Sequence, residues 1–206
     1  MQFYVMKQQD RGDPYPLATD VETVQAHSGS APRCPYCNSA MGWRAWLPPR
    51  KVKLTAISGA LTDFAFGGGT ELVSGAAYEM LRSRGLQVGS TFPPVEIVSV
   101  HPACLMRSDL RYHFLDLPIS ATGLDEEKSG LVYKHREPYC EYCGGRIKKS
   151  RQCVVLEEGT WQGEDLFIPR KTGDIVVTER FVDMCREAEF TGAKFVPAQE
   201  AGFEFP

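Results

Sequence analysis

The sequence predicts an α+β fold of two related halves, each running knuckle, strands, helix, strand, with a four-cysteine zinc clip joining them. Three observations carry this expectation. Two Cys-x-x-Cys pairs, Cys34/Cys37 and Cys140/Cys143, recur 106 residues apart. Sliding residues 69–96 onto 173–200, a shift of 104 without a gap, matches Gly69 to Gly173, Val73 to Val177 and Met80 to Met184. The same shift matches Arg82 to Arg186, Pro93 to Pro197 and Glu96 to Glu200. Both stretches then read alike, as a Gly-containing turn, a short strand, a capped helix and an extended segment ending at proline.

In the first half, Ser74 is a good N-cap, and Ala77, Tyr78 and Leu81 form an apolar stripe at helical spacing. Gly85 is placed to end that helix in the left-handed region. In the second half, Thr178 caps and Phe181, Val182 and Cys185 form the stripe. Glu189 stands where the terminating glycine would be, so a different ending is expected there. Between the halves, residues 121–130 are polar and bounded by glycine, and read as an exposed loop. Residues 1–120 carry the first CxxC pair and residues 131–206 the second. A clip between them makes the chain a single bilobal domain, 1–206, long enough to bury a sound core.

A knuckle bends tightly after its second cysteine, where a left-handed backbone is often needed. Gly144 follows Cys143 and supplies this without strain, and Asn38 follows Cys37 as the next most tolerant type. A redox CxxC should open a helix after a strand and needs no distant twin. The spacing therefore points to one shared four-thiolate site holding a structural Zn²⁺ through Cys34, Cys37, Cys140 and Cys143. Four thiolates fill the shell, so no catalytic or cofactor-binding residue is expected around it. Seven cysteines cannot all pair within the chain. Cys153 and Cys185 lie in apolar runs and are expected in the core; His101 and Cys104 could supply substitute ligands, but a strand-end histidine and a buried cysteine are the expectation. Gly67-Gly68-Gly69 lacks the Gly-Lys-Ser/Thr of a phosphate loop and reads as a turn.

The N-terminal apolar run is too short for a signal peptide, and no stretch approaches membrane-spanning length. A reducing cytoplasm and no membrane partner are the expectation. The net charge of −3 argues against an obligate nucleic-acid binder. Residues 104–206 hold the acidic excess, with eighteen Asp/Glu against fourteen Lys/Arg, including Asp125, Glu126 and Glu127. Two basic clusters follow the knuckles: Arg50, Lys51 and Lys53, then Arg146, Lys148, Lys149 and Arg151. With Tyr36, Trp43, Trp46 and Tyr142 nearby they support an alternative, a zinc-ribbon nucleic-acid-binding regulator. Trp43 and Trp46 are also candidate interface anchors, with at least one expected in the core.

Cys34-Pro-Tyr-Cys37, Cys140-Glu-Tyr-Cys143-Gly144 and Asp174-Ile-Val-Val-Thr-Glu-Arg-Phe181 resemble the double-CXXCG-motif immunity proteins of myxobacterial polymorphic toxin systems. The segment continuing through Phe190-Thr-Gly-Ala-Lys-Phe195 is similar to a C-terminal signature of bacterial toxin-immunity families. Asn38 departs from the family's glycine. The resemblance implies a cytoplasmic, non-enzymatic antidote that binds and blocks a cognate protein toxin. For a basic toxin such as a nuclease, the acidic second half would assist encounter.

Overall fold

Alternation of Val, Ile, Phe and Leu with short Gly-bearing turns makes this chain mostly strand. The computed structural model describes residues 1–9, 18–134, 140–144 and 148–205. In chain order come β1 (Phe3–Gln8), β2 (Thr19–Val24), β3 (His27–Ser28), β4 (Trp46–Leu47), β5 (Lys51–Ala56), β6 (Phe64–Gly67) and β7 (Thr70–Ser74). Helix α1 (Gly75–Ser83) follows, then β8 (Glu96–His101), β9 (Tyr112–Phe114), β10 (Ile119–Gly123), β11 (Val132–Tyr133) and β12 (Lys148–Arg151). β13 (Leu166–Arg170) and β14 (Ile175–Thr178) lead into α2 (Glu179–Glu187), followed by β15 (Ala193–Pro197) and β16 (Phe203–Glu204). Two sheets dominate this mixed α+β fold, ordered β8-β5-β2-β6-β7-β9 and β10-β13-β14-β1-β15.

Each large sheet contains a hairpin that delivers a helix. β6 and β7 pair with Phe64 opposite Val73, and Gly68 and Gly69 at φ +57° and +82° form the two-residue turn between them. Positive φ at both central positions suits the right-handed twist of a tight hairpin, which explains the glycine run. β13 and β14 pair with Leu166 opposite Val177. The two helices are nine residues each, and their N-caps, Ser74 and Thr178, lie 104 residues apart. Each hydroxyl accepts from the helix: Ser74 Oγ from the Ala77 amide at 3.2 Å, Thr178 Oγ1 from the Phe181 amide at 3.4 Å. Phe64, Val73 and Leu81 share one core with Leu166, Val177 and Phe181, so both hairpins and both helices bury their apolar faces together.

An aspartate at the head of each hairpin secures it to the segment after the other helix. Asp63 accepts from Ser74 Oγ at 2.9 Å through one carboxylate oxygen. Through the other it accepts from the Thr191 amide at 3.0 Å and the Thr191 hydroxyl at 3.1 Å. Asp165 accepts from Thr178 Oγ1 at 2.6 Å and from the Gln87 amide at 2.8 Å. Gln87 and Thr191 are again 104 residues apart. Gly192 lets the second crossing approach closely, because a Cβ there would stand 2.0 Å from the Phe64 carbonyl oxygen. β1 also crosses: it lies between β14 and β15, pairing with Thr178 through Ile175 on one side and Pro197 through Ala193 on the other.

Two expectations need correction. Residues 121–130 are not an exposed loop. Residues up to Gly123 belong to β10, which runs parallel to β13, and Leu124 and Ser129 are buried. Polar composition concealed Leu124, which packs with Val5, Phe167 and Val176. The second helix also does not end differently from the first: Glu189 adopts φ +54°, matching Gly85 at +62°. A left-handed residue with a Cβ costs about 1–2 kcal/mol, and the surrounding fold holds Glu189 there. Glu189→Gly is therefore expected to stabilise the protein by about 1 kcal/mol, and Gly85→Ala to destabilise it by a similar amount. Paired urea titrations would measure both, and an unchanged midpoint for Glu189→Gly would refute the strain.

Candidate metal centre

The first knuckle is closed by its own backbone. The Cys34 amide donates to the Ser39 carbonyl at 2.9 Å, and the Asn38 amide donates to the Cys34 carbonyl at 2.9 Å. Asn38 takes φ +58°, the left-handed bend that the sequence requires here. The second knuckle repeats this, with the Gly144 amide donating to the Cys140 carbonyl at 2.9 Å and Gly144 at φ +61°. The two bends tolerate different residues for a local reason. A Cβ on Gly144 would crowd the Tyr133 hydroxyl oxygen at 3.0 Å and Lys171 Cγ at 3.1 Å, which favours glycine there.

The knuckles meet face to face. Cys34 Sγ lies 3.8 Å from Cys140 Sγ, and Cys37 Sγ lies 3.6 Å from Cys143 Sγ. All four sulfurs fall within 4.8 Å of one another, close enough to hold a metal ion. A tetrahedron with metal–sulfur bonds of about 2.3 Å has edges of about 3.8 Å, so the cross-knuckle distances fit such a site. All seven cysteines are reduced. Cys34 is buried and Cys37 exposed, so the cluster has a protein side and a solvent side. Hydrogen bonds from the Ser39 side chain and backbone, with smaller help from Cys143 and Cys34, bring the Cys37 thiol down to about 6. The shift favours the thiolate, the form that ligates metal.

Aromatic and cationic groups brace the pair from outside. The Tyr36 and Tyr142 rings, equivalent within their knuckles, stand 4.8 Å apart. The Arg170 guanidinium lies over Tyr142 at 4.2 Å and donates to the Ala121 carbonyl at 2.9 Å. Arg33 donates to the Asn38 carbonyl at 3.0 Å. Ser39 and Arg170 escaped the sequence reading. Ser39 is two residues past a ligand and could have been suspected, but nothing in the sequence connects Arg170 to a tyrosine so far upstream.

Among the described residues, the remaining cysteines and histidines stay outside the cluster. His101 is exposed at the end of β8, and Cys104, in the turn that follows, is exposed against expectation. Cys185 is buried in α2, where burial pushes its thiol up to about 12. Cys153 is half-buried, against expectation, because strand alternation turns its neighbour Val154 into the core instead. Trp46 is buried as expected of one tryptophan, while Trp43 remains exposed.

The basic clusters are largely committed to carboxylates or carbonyls. Lys51 pairs with Glu96 at 3.6 Å, Lys53 with Glu22 at 2.9 Å, and buried Arg151 with Asp174 at 2.5 Å. Lys148 donates to the Thr172 carbonyl at 2.7 Å, and Arg146 lies outside the described residues. The acidic group is partly matched as well, with Asp125 held by Lys128 at 3.1 Å and Glu126 by Lys171 at 2.7 Å. Among the described residues, no helix is long and apolar enough to cross a membrane. A scan against protein-family models matches none, and a search of curated proteins returns no match.

Metal analysis of protein purified under reducing conditions is expected to give about one ion per chain, with Cys34→Ser and Cys140→Ser each losing it. Both variants should melt at lower temperature. A metal-free wild-type protein of unchanged melting temperature would refute the site.

Proposed function

We propose that this protein is a cytoplasmic, non-enzymatic immunity protein that binds and neutralises the C-terminal domain of a cognate polymorphic toxin. In this reading a structural Zn²⁺ occupies the four-cysteine cluster and fastens two related halves. The observation that carries it is the meeting of two CxxC knuckles, 106 residues apart, in one cluster. Their motifs, with the stretch leading into α2, are those that resemble the double-CXXCG immunity proteins. Four thiolates are the donor set of a closed structural zinc site, with no position left for a substrate or water. Such a metal serves the scaffold, and function falls to an outer surface. The reading of two related halves is supported by the equal helices, the matched N-caps and the reciprocal bonds of Asp63 and Asp165.

A nucleic-acid-binding regulator is the competing reading, and the committed lysines and arginines count against it. Phosphate contacts need cations free to displace the counter-ions condensed on the nucleic acid.

The test is genetic. The gene for a large secreted protein with a variable C-terminal domain is expected beside this one. That domain, expressed alone in the cytoplasm, should arrest growth, and co-expression with this chain should restore it. Cys34→Ser should weaken the rescue by lowering the folded fraction. If the domain remains toxic although the two proteins are abundant and soluble together, the immunity reading fails.

A further inference from the structure

A strap of the first knuckle crosses an open groove of about 880 Å³ between the two large sheets. The Met41 amide donates to the Pro32 carbonyl at 2.8 Å, so the hairpin that carries Cys34 and Cys37 also sets the start of the strap. Gly42, Trp43 and Arg44 follow along the rim. Phe114 from the six-stranded sheet and Leu117, Ile119, Ile168 and Ile175 make the walls apolar. Trp43 is 72 % exposed, and its indole lies flat enough on the hairpin turn that a Cβ on Gly69 would touch Cζ2 at 3.4 Å.

Glu71, on β7, lines this same groove. It is half-buried, and among the described residues its carboxylate meets no cation and no donor except its own backbone amide. Burial raises it above the usual carboxylate range. Arg44 shares the rim but forms no ion pair with it among the described residues. Asp116, which accepts from Thr91 Oγ1 at 3.3 Å, places a second carboxylate on the lining. A carboxylate removed from water without a partner is costly, and an incoming cation would offset that cost. The negative sign excludes phosphate-bearing ligands. An exposed indole and an unpaired acid that line one groove offer a cation both a ring face and a counter-ion. Arginine fits better than lysine, because its guanidinium is planar, stacks on aromatic faces and sheds water more readily.

We propose that this groove is the docking site for one arginine side chain of a partner protein, with Glu71 as counter-ion and the Trp43 indole stacked on the guanidinium. The identity of the partner as a toxin rests on the function proposed above, but the site itself does not. Buried Arg contacts beside tryptophan are typical binding hot spots.

The test uses the full chain and a small probe, N-acetyl-arginine amide, with its neutral isostere N-acetyl-citrulline amide. Binding is followed by the Trp43 indole resonance, assigned through Trp43→Phe, and by calorimetry. A saturable shift is expected with the arginine probe, with affinity at least about tenfold lower for the citrulline probe and for Glu71→Gln. Should Glu71→Gln fail to fold, Trp43→Ala, which alters an exposed side chain, is expected to show the same loss by calorimetry. Equal binding of both probes, undiminished binding in the variants, or no saturable response overturns the proposal. No toxin takes part in the titration. A failed titration with intact rescue therefore removes only the groove, and a successful titration without rescue removes only the toxin reading.

Discussion

Two aspartates bear more of this architecture than their small number suggests. Each ties together a hairpin, a helix N-terminus and a segment distant in the chain. Asp63 reaches Thr191, 128 residues away, and Asp165 reaches Gln87, 78 residues away. Hydrogen bonds to a charged group contribute about 1.5–3 kcal/mol each, and removing a partner leaves buried Asp165 or half-buried Asp63 with an uncompensated desolvation penalty. The Ser74 and Thr178 hydroxyls donate to these carboxylates while accepting from the helix amides. Helix start, hairpin end and long-range crossing are therefore one connected network on each side. Neither helix can be displaced without disturbing the bond that brings in the other segment.

This network decides what the metal contributes. The shared core of Phe64, Leu166 and Phe181 and the pairing of β1 with β14 already bind distant segments together without sulfur. The four-cysteine cluster adds a closure on the outside of the molecule, where Cys37 is exposed and the Tyr36 ring stands in solvent. Cross-linking a long interval restricts the unfolded chain strongly, because closure entropy grows with loop length. Its local effect is to fix two short loops that carry few apolar contacts of their own. Metal removal is accordingly a change in the knuckles first and in the sheets second.

Local chemistry was legible and long-range placement was not. Ser74 and Thr178 announced the helix starts because a cap is a matter of one hydroxyl and the amides three residues on. Asn38 and Gly144 announced left-handed bends because only a few residue types adopt them at small cost. Glu189 gave no such signal. Its positive φ is imposed by the turn that returns Phe190 to the core, where the Phe190 amide bonds the Cys185 carbonyl at 2.9 Å. β1 shows in the sequence only as a short apolar run, Phe-Tyr-Val-Met, and no local feature reveals that it lies between β14 and β15. Glu71 looks like a solvent-facing residue of a strand, and only the fold shows that the knuckle strap and the second sheet enclose it.

The metal cluster and the groove are joined by a stretch of chain only a few residues long, and this relates scaffold to function. Trp43 is six residues past Cys37, on a strap with little packing except Gly42 against Ile119 and the indole against Gly69. An aromatic side chain on a loose loop must be ordered when a partner arrives, at a cost of about 0.5–1.5 kcal/mol for the side chain alone and more for the backbone. A knuckle whose two sulfurs were bound to a metal shared with the other knuckle would have given up that freedom during folding. A metal held in the cluster would thus raise affinity by fixing Trp43 in the groove that Glu71 also lines, with no contact between ion and partner. The requirement falls on the rigidity of Cys34 through Met41 and not on the chemistry of the ion, and any change that loosens this hairpin weakens the groove even where Glu71 and Trp43 are untouched.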